Sequence, residues 1–432
     1  MAFFRIETSF NAFMNLAGIE YLHSLAPLGM TGDLKNMERL LEFLEHPEKK
    51  FRTIHVVGTD GKGSTSFYLA NILTAHGVSA GLYTSPHLVN VRERIRIDNF
   101  PIAEEDFDRL LLQVKSAAEK NDTHVSFFEA VTLVCFLYFA EKHVGAAVVE
   151  AGLGGRLDST RTACGELAVL TSIGLEHTEW LGCTESAILH EKLGVLSPRA
   201  KMFIGGISDV LVQDAEEFVK GIPATVEKPS VLKDLQVPNP GCHYIENASL
   251  SLAAARSFLG EKFSEKTARE ALQKSLWIGR MHKLLDANGK FCWLLDGAHN
   301  PHAVKRLAEA LDSYYPNQKF PCIFGALKDK AIDEMIPMLV PHVSTWHVTR
   351  TPYERFREIE DVALELKSLG CSVGTSAPMS KAFLEKVQAE SNAPVLVTGS
   401  LYMIGETIDL LKNDFEDLKF FRGFSKSESE KH

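Results

Sequence analysis

The sequence predicts an α/β protein of two domains, each built on a mostly parallel sheet that is covered by helices. Strand-like and helix-like segments alternate along the chain, which is the pattern of such sheets. The chain has 432 residues and is 45% hydrophobic, whereas single cores usually stop growing near about 250–300 residues. Two hydrophobic cores are therefore expected.

The first domain is predicted to contain several buried strands and one very apolar helix. Residues 54–57 are rich in β-branched side chains and are predicted as the first strand, with 64–76 as the helix that follows. Two further buried strands are predicted at 146–150 and 168–173. The apolar stretch 130–140 is too short to cross a membrane, so we expect a helix buried against the sheet.

The domain boundary is predicted at a polar segment, 280–290, which precedes a strand-like run at 291–295. We expect a first domain of residues 1–284 and a second, smaller Rossmann-like domain of residues 285–432. Hinge motion is expected near 280–290. The second domain is predicted to contain a strand at 322–324, a helix from about Ala331, and strands at 346–348 and 395–397. Residues 424–432 are charged and serine-rich, and we expect them to fray.

A glycine-rich turn after the first predicted strand has the composition of a phosphate-binding loop. Glycines let backbone N–H groups converge on an anion, a lysine neutralises phosphate charge, and a nearby hydroxyl can bind Mg²⁺ at the start of the next helix. The segment departs from the standard P-loop because Gly63 separates Lys62 from Ser64, and a glycine-rich surface turn is the alternative. ATP binding is predicted for Gly58, Thr59, Gly61, Lys62, Gly63, Ser64 and Thr65.

Polar residues at the carboxyl ends of other predicted strands indicate one crevice. Glu150 ends one strand, and His177 follows another. Ligands bind beyond the carboxyl ends of strands in open α/β sheets, so both residues are expected beside the phosphate loop. A carboxylate in that place is typical of a Mg²⁺ ligand. Taken singly, His177 has an alternative as an ordinary loop histidine.

Composition argues against several functional classes. The net charge of -10 is unusual for a general nucleic-acid binder. The seven cysteines are far apart and include no C-x-x-C pair, which favours reduced thiols in a cytosolic protein. The sequence shows no pattern of a signal peptide or a membrane span. We therefore expect a cytoplasmic protein without nucleic-acid or membrane partners.

Ordered motifs cover nearly the whole chain. They are GTDGKGS from Gly58, TSPHL from Thr84, ERIRI from Glu93, SFFEAVT from Ser126, EAGLGGRLDST from Glu150, SIGLEH from Ser172, HEKLGV from His190, WIGR from Trp277, LDGAHNPHA from Leu295, FGALKDK from Phe324 and TGSLYMIGE from Thr398. Together they resemble the folylpolyglutamate synthase/dihydrofolate synthase family of the Mur ligase superfamily.

The resemblance implies a role for each matching residue. The catalytic residues would be Lys62, His177 and Lys192. The magnesium ligands, for two ions, would be Ser85, Glu150, His177 and a carbamylated Lys192. Further ATP contacts would come from Asn247, Arg280 and Asp296. Pterin contacts would come from Ser126, Phe127, Phe128, Glu129, Leu157, Asp158 and Ser159, and contacts near the incoming glutamate from His299 and Ser400.

The family implies an ATP-dependent ligase that adds L-glutamate to dihydropteroate, to the glutamate tail of a folate, or to both. ATP would phosphorylate a carboxylate of the acceptor, and the amine of glutamate would then displace phosphate from the acyl phosphate. Only small-molecule substrates and a monomer are expected. Outside its motif, the Glu191-Lys192 pair would be a solvated helix surface.

Two other functions are alternatives at this point. A peptidoglycan-precursor ligase of the Mur type would share the ATP chemistry but normally has a nucleotide-sugar domain before the phosphate loop, and 57 residues precede Gly58. A non-catalytic ATP-binding regulator would not need the motifs of the second domain. The chain also departs from the usual family residues at Asp60, Arg161, Glu176, Ile278 and His282, which affects the expected substrate preference.

Overall fold

The computed structural model describes residues 16–25 and 32–424 of the chain. It contains two α/β domains, one built on an eight-stranded sheet and the other on a six-stranded sheet. The predicted fold class is confirmed. Among the described residues, no helix combines the length and the apolar composition that a membrane crossing requires.

The first sheet has a parallel centre and one antiparallel edge. Its strands are β1 (Thr53–Val57), β2 (Ala80–Tyr83), β3 (Ile95–Ile97), β4 (Phe100–Pro101), β5 (Ala146–Glu150), β6 (Leu167–Leu170), β7 (Lys201–Ile204) and β8 (Thr225–Glu227). Their order is β4-β3-β2-β5-β1-β6-β7-β8. Strand β1 lies between β5 and β6 and pairs in parallel with both, so the loops after these three strands leave the same edge of the sheet.

Helices cover both faces of this sheet. They are α1 (Ala17–Ser24), α2 (Lys35–Phe43), α3 (Lys62–Ala75), α4 (Glu104–Lys120), α5 (Phe127–Glu141), α6 (Thr178–Leu181), α7 (Glu185–Leu193), α8 (Asp209–Val219), α9 (Cys242–Leu259) and α10 (Glu265–Gln273). Alternate residues of β5 point to opposite faces: Ala147 and Val149 pack with α4 and α5, whereas Ala146 and Val148 pack with α3 and α9. The apolar stretch predicted as core is α5, which is buried along most of its length.

The second sheet is parallel except for its first strand. It contains β9 (His282–Leu285), β10 (Phe291–Leu295), β11 (Phe320–Phe324), β12 (Val343–Val348), β13 (Val373–Ser376) and β14 (Val395–Thr398) in the order β13-β12-β11-β14-β10-β9. The helices around it are α11 (Pro301–Tyr314), α12 (Ile332–Leu339), α13 (Ile359–Ser368), α14 (Lys381–Ala389) and α15 (Leu401–Leu411).

The second domain starts slightly earlier than predicted. Strand β9 pairs antiparallel with β10, so a boundary between residues 284 and 285 would cut through a strand of the second sheet. The Asn-Gly turn joins these two strands, and Asp286 N donates to the Lys290 carbonyl at 2.9 Å. Residues 286–290 thus form a hairpin within one domain, and hinge motion stays a prediction for the segment before β9. The chain crosses between the domains just before β9.

The carboxyl-terminal segment packs back on the first domain. A 3₁₀ helix, Glu416–Gly423, follows α15. The Arg96 guanidinium lies 4.6 Å from the ring centre of Phe420, and that of Arg92 lies 4.9 Å from Phe424. Phe424 is buried, so the expectation that fraying begins at residue 424 is wrong. The rest of that predicted tail, 425–432, lies outside the described residues.

Candidate functional site

The loop between β1 and α3 needs glycine at two positions. Gly58 has a φ of 152°, and a Cβ atom there would come within 1.9 Å of the Thr171 hydroxyl oxygen. Gly61 has a φ of 83° and would place a Cβ atom 2.8 Å from the side-chain oxygen of Asn247. Larger residues would therefore push the loop away from β6 and α9, and the alternative of a simple surface turn does not account for this close packing.

Hydrogen bonds fix this loop to the carboxyl end of β6. Thr59 N donates to the Ser172 carbonyl at 2.9 Å, and Gly174 N donates to the Thr59 hydroxyl at 3.0 Å. Strand β6 ends at Leu170, three residues earlier than predicted, and the hydroxyl of the next residue, Thr171, donates to the Asp60 carbonyl of the phosphate loop. These hydrogen bonds join the phosphate loop to the segment that follows β6.

Two lysines approach the same backbone oxygen of the loop. Lys62 is the first residue of α3, and its ammonium donates to the carbonyls of Gly58 at 3.0 Å and Thr59 at 2.9 Å. Lys192, near the end of α7, is buried and donates to the Gly58 carbonyl at 2.8 Å. Burial, and then the charge of Lys62, lowers the pKa of Lys192 to about 7. Its amine is therefore neutral in a large fraction of molecules at neutral pH.

Glu150 is the buried carboxylate that the sequence places at the end of β5. Its carboxylate accepts a hydrogen bond from Ser85 N at 3.1 Å, and burial raises its pKa to about 7. A buried carboxylate next to a phosphate loop has the donor chemistry for Mg²⁺. Within the described part of the chain, no three His, Cys, Asp or Glu side chains are grouped to hold a metal. Magnesium here would take most of its ligands from phosphate and water, as is usual for this ion.

Both domains line one cleft at the carboxyl edge of the first sheet. Its empty volume is about 1030 Å³. From the first domain it is lined by Thr59, Asp60, Gly61, Lys62, Gly63, Ser85, Pro86, Glu150, Gly152, Glu176 and His177, and from the second domain and the crossover by Arg280, His299, Leu327, Asp329, Lys330, Arg355, Ser400, Leu401 and Tyr402. The structure thus brings together most of the predicted phosphate, metal and glutamate residues.

His177 lies at the mouth of this cleft. It has a φ of 51°, precedes α6, and its side chain is 41% exposed. Burial lowers its pKa, so the imidazole is largely neutral and can act as a metal ligand. The adjacent Glu176 contacts the second domain, with its carboxylate 3.8 Å from His299 Nε2 and 3.5 Å from Lys330 Nζ.

A second pocket of about 710 Å³ lies behind the phosphate loop. Five residues with predicted ATP roles line it: Gly61, Ser64, Asn247, Arg280 and Asp296. The Asp296 carboxylate accepts hydrogen bonds from the backbone of Met281 at 2.8 Å and Ala298 at 2.9 Å, and burial raises its pKa. Thr65 is fully buried in α3 and does not line this pocket. The two cavities meet at the phosphate loop.

The predicted pterin residues lie beside the cleft and hold one another in place. Ser126 and Glu129 form a capping box at the start of α5: Ser126 N donates to the Glu129 carboxylate at 2.8 Å, and Glu129 N donates to the Ser126 hydroxyl at 3.2 Å. The Phe128 ring packs so closely on Gly152 that a Cβ atom there would lie 2.6 Å from it. Phe127 is within 5.3 Å of the Arg94 guanidinium.

Asp158 organises the glycine-rich loop after β5. Its carboxylate accepts from the backbone of Leu153 at 2.9 Å and of Thr160 at 3.0 Å, and burial raises its pKa. Leu157 precedes it and Ser159 begins a short 3₁₀ helix. None of these three predicted pterin residues lines the cleft.

A search of protein-family models matches residues 279–401 to the Mur ligase, glutamate ligase domain. Dihydrofolate synthase/folylpolyglutamate synthase of Bacillus subtilis is 33% identical over 431 residues, covering 91% of this chain and 98% of that protein. The chain belongs to the folylpolyglutamate synthase/dihydrofolate synthase family. The prediction of an ATP-dependent ligase is thereby confirmed.

Solved structures of this family have the same fold. The structure of Escherichia coli FolC in complex with DHPP and ADP superposes with a TM-score of 0.80 at 26% identity, covering 92% of this chain and 98% of that chain. A bifunctional folylpolyglutamate synthase/dihydrofolate synthase of Yersinia pestis, complexed with AMPPNP and a Mn ion, gives a TM-score of 0.79 at 26% identity with the same coverage. Members of the family thus bind adenine nucleotides and a divalent metal.

Sequence reasoning missed several residues of this ligase site. Lys330, Arg355 and Tyr402 line the second-domain wall of the cleft. Lys330 stands in the FGALKDK motif and Tyr402 in TGSLYMIGE, so both lay within recognised motifs without an assigned role. Arg355 lies in no motif, and no sequence signal indicated it.

Proposed function

We propose that this protein is an ATP-dependent ligase that joins L-glutamate to dihydropteroate, to the glutamate tail of a folate, or to both. The observation that carries the proposal is the two-domain cleft. One wall of the cleft contains Lys62 and Glu150 beside the phosphate loop. The other wall contains Arg280, His299 and Ser400. Such a cleft holds a nucleotide next to a second substrate.

The chemistry requires activation of a carboxylate. An acceptor carboxylate oxygen attacks the γ-phosphorus of ATP, and the bond from this phosphorus to the bridging oxygen breaks. The products of this step are ADP and an acyl phosphate on the acceptor. The glutamate amine then attacks the acyl carbon, loses a proton and expels inorganic phosphate. Lys62 and the N–H groups at the start of α3 stabilise the negative charge that develops in the first step. His299 and Ser400 would hold the incoming glutamate.

We expect two magnesium ions at this site. Their protein ligands would be Ser85, Glu150, His177 and Lys192. When bound, the metal neutralises charge on phosphate oxygens. Glu150 supports this assignment because its buried carboxylate gains a cation partner, and His177 because its lowered pKa leaves a nitrogen lone pair free.

Lys192 would act as a carbamate. Its neutral amine adds to the carbon of CO₂, and the adduct releases one of its N–H protons to solvent. The resulting N-carboxylate replaces a positive group with a negative one. The lowered pKa of Lys192 favours this reaction because a protonated amine has no lone pair to form the bond.

The pterin ring would lie against Phe128, between α5 and the loop that Asp158 organises. Aromatic stacking and buried polar groups suit a flat heteroaromatic ring. Closure of the two domains would exclude water, which otherwise hydrolyses the acyl phosphate. We further propose that the protein is a cytoplasmic monomer. Nucleic acids are not expected as partners, since the net charge of -10 opposes their binding.

The test is phosphate release from Mg-ATP with L-glutamate, comparing dihydropteroate with tetrahydrofolate and weighing the products by mass spectrometry. A gain of one glutamate on dihydropteroate assigns dihydrofolate synthase activity, and gain on tetrahydrofolate assigns polyglutamylation. No gain on either acceptor, from protein that binds ATP, contradicts the proposal. A peptidoglycan-precursor acceptor or a non-catalytic regulator would then be the next hypotheses.

A further inference from the structure

The phosphate loop contacts the second domain through Asp60. One carboxylate oxygen lies 2.6 Å from His302 Nδ1, and the other accepts from Asn300 Nδ2 at 3.3 Å. Asn300 caps α11 and His302 lies in its first turn. These contacts join positions 240 and 242 residues apart, on different domains.

The backbone of Asp60 is fixed by the first domain. Its N–H donates to the Ser172 hydroxyl at 3.0 Å, and its carbonyl accepts from the hydroxyls of Thr171 and Ser172. Asp60 therefore links the end of β6 to the start of α11. A displacement of α11 would pull directly on the phosphate loop.

His302 is held against the first domain by packing as well as by its hydrogen bond. A Cβ atom on Gly174 would lie 3.4 Å from His302 Cγ, so the ring covers that glycine. Gly174 in turn bonds to the Thr59 hydroxyl at 3.0 Å. The imidazole thus lies between two loops of the first domain.

These residues also form one wall of the pocket behind the phosphate loop. Asp60, His302 and Arg306 line it together with Glu246. Arg306 follows His302 by four residues, so both side chains lie on the same face of α11, and Arg306 approaches the Glu246 carboxylate at 3.6 Å. One face of α11 therefore forms a wall of the proposed nucleotide pocket and contacts two acidic residues of the first domain, Asp60 and Glu246.

We propose that Asp60 and His302 form an interdomain latch that positions the phosphate-binding loop, so that nucleotide affinity depends on docking of α11. The proposal rests on the proposed binding of ATP at this loop, and it makes no assumption about the acceptor. Asp60 is a positioning residue, because it acts through the loop backbone.

A simpler account of Asp60 makes the opposite prediction. This residue stands where the family usually has asparagine, and a carboxylate beside phosphates repels them. If Asp60 acted through its charge alone, removing it would tighten nucleotide binding. If it acts as a latch, removing it frees the loop and weakens binding.

The experiment measures AMPPNP affinity by titration calorimetry with no acceptor present, so it is independent of ligase activity. Asp60→Ala is expected to weaken binding on the order of tenfold, the loss typical of a hydrogen bond to a charged group. Asp60→Asn keeps an acceptor for His302 and is expected to recover part of this loss. His302→Ala is expected to weaken binding similarly, and the double variant to lose no more than either single one.

Equal or tighter binding by Asp60→Ala overturns the proposal, and so do additive losses in the double variant. Asp312→Asn is the matched control, because Asp312 pairs with His342 at 3.8 Å on the same helix but does not line the pocket. Its affinity is expected to equal that of the unaltered protein. Thermal melting identifies any variant that does not fold, and Asp60→Ser with His302→Phe, which also remove the hydrogen bond, then replace the alanine pair in the same cycle.

Discussion

The Nζ atom of Lys192 lies 2.8 Å from the carbonyl oxygen of Gly58, although 134 positions separate the two residues. Lys62 donates to the same oxygen at 3.0 Å. Two ammonium groups sharing one carbonyl repel each other, and one of them is buried. A neutral amine at Lys192 relieves this repulsion, and a negatively charged carbamate there would attract the Lys62 ammonium.

We expect Lys192 to form a carbamate whose amount rises with pH. Its pKa is lowered to about 7, so the amine is mostly protonated at pH 6 and mostly neutral at pH 8. With ¹³C-bicarbonate, the carbamate signal in the ¹³C NMR spectrum should increase over this range. Lys192→Arg is the control, since a guanidinium keeps the charge and does not react. A signal of equal size in that variant would contradict the assignment.

Glu150→Gln should raise the Mg²⁺ concentration needed for half-maximal activity by on the order of tenfold or more, because a neutral amide replaces the charged oxygen ligand. The measurement is a magnesium titration at saturating ATP. Glu166→Gln removes a carboxylate that is exposed and pairs with Arg52, and we expect it to leave the titration unchanged. An unaltered magnesium requirement in Glu150→Gln would remove this residue from the metal site.

Gly58→Ala should abolish tight nucleotide binding. The new methyl group would lie 1.9 Å from the Thr171 hydroxyl oxygen, so the loop must move away from β6. Calorimetric titration with ADP measures the effect. Gly423→Ala is the control, because its added methyl group has no atom within 4 Å, and it should bind ADP normally. Normal ADP binding by Gly58→Ala would contradict the prediction and show that the loop tolerates displacement.

Asp158→Asn should raise the KM for the pterin acceptor by on the order of tenfold without changing ADP affinity. The amide offers one oxygen, whereas the carboxylate accepts from Leu153 and Thr160 with two, so the loop loses one anchor. Steady-state kinetics and ADP titration separate the two effects. If the KM for the acceptor and the affinity for ADP worsened equally, Asp158 would act through the general stability of the domain instead.

The protein should lose stability in mild acid through His55. This histidine is fully buried in β1, and burial lowers its pKa to about 3. The unfolded chain protonates this histidine below about pH 6.5 and the folded chain only below about pH 3, so the contribution of His55 to the free energy of unfolding falls as pH falls, by about 3 kcal/mol at pH 4.5.

Urea unfolding at pH 7.5 and 4.5 tests this. His55→Gln should show a smaller loss between the two pH values, whereas replacing the exposed His143 should not. An unchanged acid sensitivity in His55→Gln would assign the effect to other groups.

The sequence predicted the central strands of both sheets because these strands are short apolar runs with turn residues on both sides, whereas it did not predict β2, β3, β4, β7, β8, β9 and β13. Residues 291–295 form a strand with the predicted bounds, and β5 ends on Glu150 as expected. Strand β9 was missed because one of its two buried residues is a histidine, His282, so the segment has the polar composition of a linker. The contact between Asp60 and His302 could not be predicted, because it depends on how the two domains dock.

The aromatic residues after α15 have a consequence for the exchange of domains between relatives. A recombination event with one breakpoint before β9 would transfer a whole second domain, since the backbone crosses there. The transferred piece would also carry Phe420 and Phe424, whose rings meet Arg96 and Arg92 of the recipient. Functional chimeras should therefore be those in which these phenylalanines and arginines can still contact each other. The segment after α15 of one parent thus limits which first domains of the other parent are compatible with it.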